Sequence, residues 1–244
     1  MDEGESTSTE MDEDPSVDAL ISDVEKHLQT FERSLPRRID PIALSRSKLP
    51  FRALACREVL IWRVTELGRT ALENVHADRL VAAILLTRAA IETTAALWYL
   101  STKLNIALKT GNIGDLDSDL AKLSAGTRNW KDEGWPEAFN VLKFVDCAEK
   151  TFSGFRYAYD ALSEYSHPNY LGTTGLYSRT DHKEILIDFG PDAARLKYPK
   201  YICALNLSVA LRIFEDTYGK LADLMPAFIA LCETHLGSKA AGQA

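Results

Sequence analysis

Apolar residues along most of this chain recur every three or four positions, which is the spacing of one face of an α-helix. The first such run extends from Val17 to Phe31 and follows Ser16, whose hydroxyl suits a helix N-cap. Pro226 is expected to kink or divide the last helix. The pattern predicts helices near 16–33, 51–75, 78–109, 116–123, 137–150 and 155–166, and a last helix that begins near Pro199.

One segment departs from the helical spacing. Residues 175–189 alternate apolar and polar side chains on either side of an Asp181-His182-Lys183 turn, which predicts a β-hairpin. Helices with a single insertion of this kind are typical of an all-α fold. We therefore predict one helical-bundle domain over residues 16–236, with one inserted β-hairpin near 175–189.

The two ends of the chain differ from this domain in composition. Residues 1–14 hold seven acids, no Lys or Arg, and only methionines as large apolar residues, which predicts a disordered acidic tail over 1–15. Residues 237–244 are predicted to be a flexible C-terminus. Removing the seven tail acids from the 35 in the chain leaves 28, equal to the 28 bases, so the domain has no net charge to attract nucleic acid or a membrane.

Cellular location and bound groups follow from a few further residues. The apolar run 80–108 contains Arg88, Glu92 and Lys103, which favours a helix buried in a bundle over a membrane span. The four cysteines form no CxxC pair and the five histidines lack the spacing of metal ligands, so we predict a cytoplasmic protein with no metal or cofactor.

The candidate site centres on residues 157–175, where a helical pattern ends in crowded polar and aromatic groups. His167 lies at this helix end and is the candidate general acid or base, although a hydrogen bond that caps the helix is an equally simple role. Arg88 and Glu92 are four residues apart and so lie on one helix face. They are either a structural ion pair or part of a polar pocket with His167. The ligand-binding candidates are Arg88, Glu92, Tyr159, Glu164, His167 and Asn169.

Two resemblances bear on these residues. The block Leu162-Ser163-Glu164-Tyr165-Ser166-His167-Pro168-Asn169, with Arg88-Ala89-x-x-Glu92 before it, resembles a family of uncharacterised bacterial helical proteins. A more distant similarity is to the HEPN superfamily, whose helical bundles include metal-independent ribonucleases of toxin and phage-defence systems. That superfamily has four to six residues between an Arg and its His, whereas here ten residues separate His167 from Arg156, the nearest preceding arginine, so the catalytic pair does not transfer.

These residues leave two classes of function open. The first is a helical binding or interaction protein, possibly a homodimer, whose polar pocket around the LSEYSHPN block binds a small anionic ligand or a partner protein. The alternative is a HEPN-like ribonuclease in which His167 acts on RNA, Arg88 stabilises the phosphate, and the basic stretch 33–57 contacts the backbone. A ribonuclease requires His167 to be open to solvent and close to that basic stretch.

Overall fold

The computed structural model describes residues 15–40, 45–129 and 134–241, with side chains described as far as 237. Its elements confirm the predicted all-α bundle with one inserted hairpin. In chain order they are α1 Val17–Ser34, α2 Lys48–His76, α3 Leu80–Thr110, α4 Leu116–Ala125, α5 Val141–Glu149, α6 Phe155–Ser166, α7 Thr174–Tyr177, β1 Ser178–Asp181, β2 Leu186–Phe189 and α8 Ala193–Ala241.

The structure describes how the domain begins at α1 and how far α8 extends at its other end. The Ser16 hydroxyl accepts a hydrogen bond from the Ala19 amide at 3.2 Å, so the predicted N-cap of α1 is present. Residues 1–14 of the predicted acidic tail lie outside the described residues. Helix α8 continues to Ala241, past the predicted start of the flexible C-terminus at 237, and residues 242–244 are not described.

Helix α3 forms the centre of the bundle, with α2 and α8 packed along it and α5 and α6 against its other side. It is the one described helix long and apolar enough to cross a membrane, but 61% of its most apolar window is buried inside the protein. Such burial is typical of the core helix of a soluble protein, in agreement with the sequence prediction.

The apolar core consists of two clusters along α3. One contains Leu28, Phe31 and Phe214, where α1, α2 and the part of α8 from Leu207 to Cys232 meet. The other contains Tyr159, Leu162 and Leu176, where α5, α6 and the first half of α8 meet. The LSEYSHPN block therefore lies at the end of the bundle that the second cluster stabilises.

Two predicted helix boundaries were wrong because local backbone contacts decide them. Residues 137–140 are not helical, because the Thr127 amide donates to the Pro136 carbonyl at 2.9 Å and the Ala138 amide donates to the Thr127 carbonyl at 3.2 Å. The last helix begins at Ala193 rather than near Pro199, because the Asp192 carboxylate accepts from the Ala194 amide at 2.8 Å and caps its first turn. Pro226 does not divide this helix, which is continuous on both sides of it.

The hairpin was predicted correctly, but its strands are shorter than the pattern indicated. Residues 174–177 form one helical turn, and the strands pair from Ser178↔Phe189 to Asp181↔Leu186. The Asp181 carboxylate accepts from the amides of Lys183 and Glu184 at 2.8 and 3.2 Å, and these bonds lower its pKa. The tip of the hairpin is thus fixed by the residue that the sequence placed in the turn.

Candidate functional site

Three of the predicted site residues form one cluster between α3 and α6. Arg88 donates to the Tyr159 hydroxyl at 2.6 Å, and that hydroxyl donates to the Glu92 carboxylate at 3.2 Å. The guanidinium lies over the Tyr159 ring, 4.8 Å from its centroid, and 3.6 Å from the Glu92 carboxylate. The charges of Arg88 and Glu92 cancel within this cluster, which favours a link between two helices over an anion site.

A second group of predicted residues shapes the turn after α6. The Asn169 side chain donates to the Glu164 carboxylate at 2.8 Å and accepts from the Gly172 amide at 3.1 Å. A Cβ on Gly172 would lie 2.0 Å from the His167 carbonyl oxygen and 2.7 Å from that of Tyr165. Only glycine fits so close to two carbonyls, so Glu164, Asn169 and Gly172 fix one conformation of this turn.

His167 follows the last residue of α6, with extended backbone and an exposed imidazole. It is eight residues beyond Tyr159, or about 12 Å along the chain at 1.5 Å per helical residue. The predicted polar pocket is therefore two separate places, the Arg88–Tyr159–Glu92 cluster and the His167 turn. Ser166 donates to the Leu162 carbonyl at 2.8 Å, as expected for a residue that does not act with His167.

Two described bases of the stretch 33–57, Arg46 and Arg57, contact α8 at positions far from the His167 turn. Arg46 pairs with Glu233 at 3.3 Å, whereas the turn lies beside Tyr198, 35 residues earlier in the same helix. That separation corresponds to roughly 50 Å of helix. Exposure of His167 meets one requirement of a ribonuclease, and the positions of Arg46 and Arg57 do not meet the other.

Arg57 belongs to the basic stretch in sequence but is buried in the structure. Its guanidinium donates to the Tyr218 carbonyl at 3.1 Å, pairs with Glu58, and lies 3.4 Å from the centroid of the Tyr218 ring. The Tyr218 hydroxyl donates to the other Glu58 oxygen, and burial together with that carboxylate raises the pKa of the Tyr218 phenol. This network joins α2 to α8, and no spacing in the sequence distinguishes it from a solvated charged segment.

A cleft of about 380 Å³ borders the His167 turn. Its lining includes Tyr165, Tyr170, Leu171, Arg195 and Tyr198, and we call it the aromatic cleft. Tyr170 and Tyr198 are 68% and 63% exposed, whereas Tyr165 is buried, which raises the pKa of its phenol. Neighbouring exposed rings beside an apolar floor are typical of surfaces that bind other proteins.

The hairpin, which we call the arm, projects from the rim of this cleft. The Gly190 amide donates to the Tyr177 carbonyl at 2.9 Å, and Arg195 donates to the Ser178 carbonyl, so the arm is attached to the bundle only at its base. Its four large apolar residues are exposed: Ile185 by 88%, Leu186 by 61%, Ile187 by 55% and Phe189 by 83%. Sequence alternation located the hairpin but gave no sign that both of its faces are open to solvent.

A further cleft, which the sequence did not indicate, lies between α3 and α5. It measures about 680 Å³, and Tyr99, Lys103, Lys143 and Lys150 lie among its lining residues. The Lys143 ammonium is 4.3 Å from the Phe139 ring centroid, and Lys103 pairs with Asp119 at 2.7 Å, which raises the pKa of Lys103. Lys103 and Lys143 are thus held by rings and a carboxylate of the chain itself, so this cleft ranks below the arm as a candidate site.

The side-chain positions do not favour a metal site, or a reactive thiol at three of the four cysteines. Over the described ranges, no group of three or more His, Cys, Asp or Glu is placed to hold a metal ion. Cys56, Cys203 and Cys232 are buried free thiols, and burial raises the pKa of each to about 11, which leaves them unreactive at neutral pH.

Comparison with models of protein families, with curated proteins and with solved structures gives no match for this chain.

Proposed function

We propose that this protein is a cytoplasmic helical binding protein whose interaction surface surrounds the LSEYSHPN block. The observation that carries the proposal is the apolar surface formed by the arm and the aromatic cleft at one end of the bundle. Large apolar patches of this kind on a folded domain mark sites of interaction. The four free thiols are consistent with a reducing cytoplasm.

The character of the surface favours a protein partner over a small anionic ligand. Arg88, the cation first proposed for anion binding, is already paired with Glu92 and Tyr159. The large exposed side chains of the arm and the aromatic cleft are instead tyrosines, leucines, isoleucines and a phenylalanine, with Arg195 engaged by the Ser178 carbonyl. Such a composition matches the apolar centre of a protein interface. In this proposal the Glu164–Asn169 turn positions Tyr170 and Leu171 and is not itself the binding group.

Site-specific photo-cross-linking in living cells tests this proposal. A benzoylphenylalanine placed at Tyr198, in the aromatic cleft, should give a discrete cross-linked adduct, either with another protein or with a second copy of this chain. The same adduct should disappear when Ile187→Thr and Phe189→Thr are added. The matched control places the probe at Val209, an apolar position of the same helix that is 45% exposed and lies outside the cleft. Equal labelling from both positions, or none from either, would contradict the proposal.

The ribonuclease remains an alternative proposal because His167 is exposed to solvent. Its general acid or base would be His167, yet Arg46 and Arg57 of the basic stretch that should hold the RNA backbone contact α8 far from the His167 turn. We therefore expect no cleavage of a broad RNA panel by the folded protein in EDTA. Cleavage by wild type that is lost in His167→Ala, with both proteins folded by circular dichroism, would replace the binding proposal with the enzyme.

A further inference from the structure

The arm is a two-stranded sheet whose outer edges meet no other strand within the described residues. An isolated two-stranded hairpin is marginally stable in water, and an exposed apolar edge is a template for pairing with another strand. Natural proteins usually protect such an edge with prolines, lysines or a covering helix. Strand β2 has the sequence Leu186-Ile187-Asp188-Phe189, with no proline or lysine and with Asp188 as its single charged residue.

The register divides the side chains of the arm between two faces. Thr180 pairs with Ile187 and Ser178 pairs with Phe189, so Ile187 and Phe189 share one face of the hairpin. The other face carries two cross-strand pairs, Arg179 with Asp188, whose charges are opposite, and Asp181 with Leu186. One face therefore carries the two large apolar side chains, and the charges on the other face nearly cancel. Electrostatic repulsion between two such arms is therefore small.

The tip of the arm contains an unusual backbone conformation. Ile185 has φ of 57°, in the left-handed region, where a β-branched residue is disfavoured by about 1–2 kcal/mol. Gly or Asn would adopt this conformation at little cost. Since the Ile185 side chain is 88% exposed, packing within its own chain does not compensate for the strain. Strain of this kind is retained where the side chain is needed for function.

We propose that the partner of this surface is a second copy of the chain, with β2 of each protomer pairing antiparallel across a two-fold axis. This inference rests on the proposed binding function and identifies its partner. An axis through Ile187 would place the two Ile187 side chains opposite each other, with both Phe189 side chains on the same face of a four-stranded sheet. Asp188 of each copy would then lie opposite Leu186 of the other, so the two carboxylates do not face each other. Each copy then supplies the same edge and the same apolar pair, as a closed two-fold interface requires.

The exposed apolar area of the arm and the aromatic cleft together is comparable to one side of a standard interface. At about 200 Å² for a fully exposed large side chain, the exposed parts of Ile185, Leu186, Ile187, Phe189, Tyr170 and Tyr198 sum to on the order of 800 Å². A standard interface buries about 800 Å² on each partner. The arm carries two bases, Arg179 and Lys183, against three acids, Asp181, Glu184 and Asp188, so two arms approach with little net repulsion.

Sedimentation velocity on the purified full chain, from low to high micromolar concentration, tests the dimer. Wild type should dimerise, and Ile187→Thr with Phe189→Thr should raise the dimer dissociation constant by more than about 100-fold, because two central apolar groups are lost. Threonine keeps the strand preference of these positions, so the hairpin itself is preserved. The matched control, Val209→Thr, removes an exposed apolar side chain of α8 and should leave the dissociation constant unchanged.

A second variant distinguishes association from unfolding of the arm. Ile185→Gly relieves the positive φ and so should stabilise the turn, yet it should weaken the dimer because an interface side chain is removed. Hydrogen exchange of the β2 amides should slow as wild-type concentration rises and should remain fast in the double variant.

Three results would overturn the inference: a wild-type monomer at all concentrations, a dimer that the double variant leaves intact, or β2 amides whose exchange is independent of concentration. The purified protein could also be a monomer while the Tyr198 probe cross-links to a different protein in cells. That result would overturn the homodimer but would leave the proposed binding function standing. Absence of any cross-link would instead remove the proposed function.

Discussion

Replacing Glu58 with alanine should lower the free energy of unfolding by about 3–5 kcal/mol, the cost of leaving a buried charge without its partner. Glu58 and Arg57 are both at least nine-tenths buried, at 8% and 9% exposure, and Glu58 is the only carboxylate paired with Arg57 in the described chain. The variant would also leave the Tyr218 hydroxyl without its acceptor. Equilibrium denaturation in urea, followed by circular dichroism, measures the change.

Glu66→Ala is the matched control for this substitution. Glu66 lies on the same helix α2, is exposed, and loses the same side chain, so its free energy of unfolding should change by less than about 0.5 kcal/mol. A similar small effect for both variants would mean that the Arg57–Glu58–Tyr218 network does not hold α2 to α8. A large effect confined to Glu58→Ala would establish a structural role for Arg57 within the basic stretch.

Gly172→Ala should cost about 3 kcal/mol in stability and should also weaken the association that the arm mediates. Its Cβ would meet two backbone carbonyl oxygens, which cannot move aside by changing a rotamer, so the cost is expected at the upper end of overpacking effects. Displacing this turn moves Tyr170 and Leu171 away from the aromatic cleft. Urea denaturation and sedimentation velocity on the same samples measure both consequences.

Gly219→Ala provides a control of opposite sign. Gly219 lies within α8, and a Cβ there has no neighbour within 4 Å, so alanine should stabilise the helix by about 0.5–1 kcal/mol. If Gly172→Ala left the free energy of unfolding unchanged or raised it, the close contact of Gly172 with the two carbonyl oxygens would be contradicted. Loss of association without loss of stability would show that the turn acts only by positioning the aromatic cleft.

The candidate site shows where prediction from residues reaches its limit. Helix spacing placed Arg88 and Glu92 on one face, and the structure adds Tyr159 to them from a different helix. His167 directly follows α6, the helix that contains Tyr159, and this position after the last turn carries it away from Arg88 and out to solvent. Contacts between helices depend on how the helices cross, which periodicity along one segment does not specify.

The long helices bury most of their apolar side chains in the two core clusters, so they offer little surface for the homodimer that the sequence analysis considered. The exposed apolar surface lies in the short arm instead. Alternation in 175–189 predicted the hairpin, and the structure adds that every residue of β2 is exposed.

The sequence by itself determined the all-α class, the first N-cap, the order of the helices and the place of the hairpin, because hydrophobic spacing and capping act over a few neighbouring residues. The tertiary structure alone decided that Arg57 is buried, that Arg46 and Arg57 contact α8 far from the His167 turn, and that the arm is uncovered. Burial and proximity depend on packing between segments far apart in the chain, and local spacing carries little information about that packing.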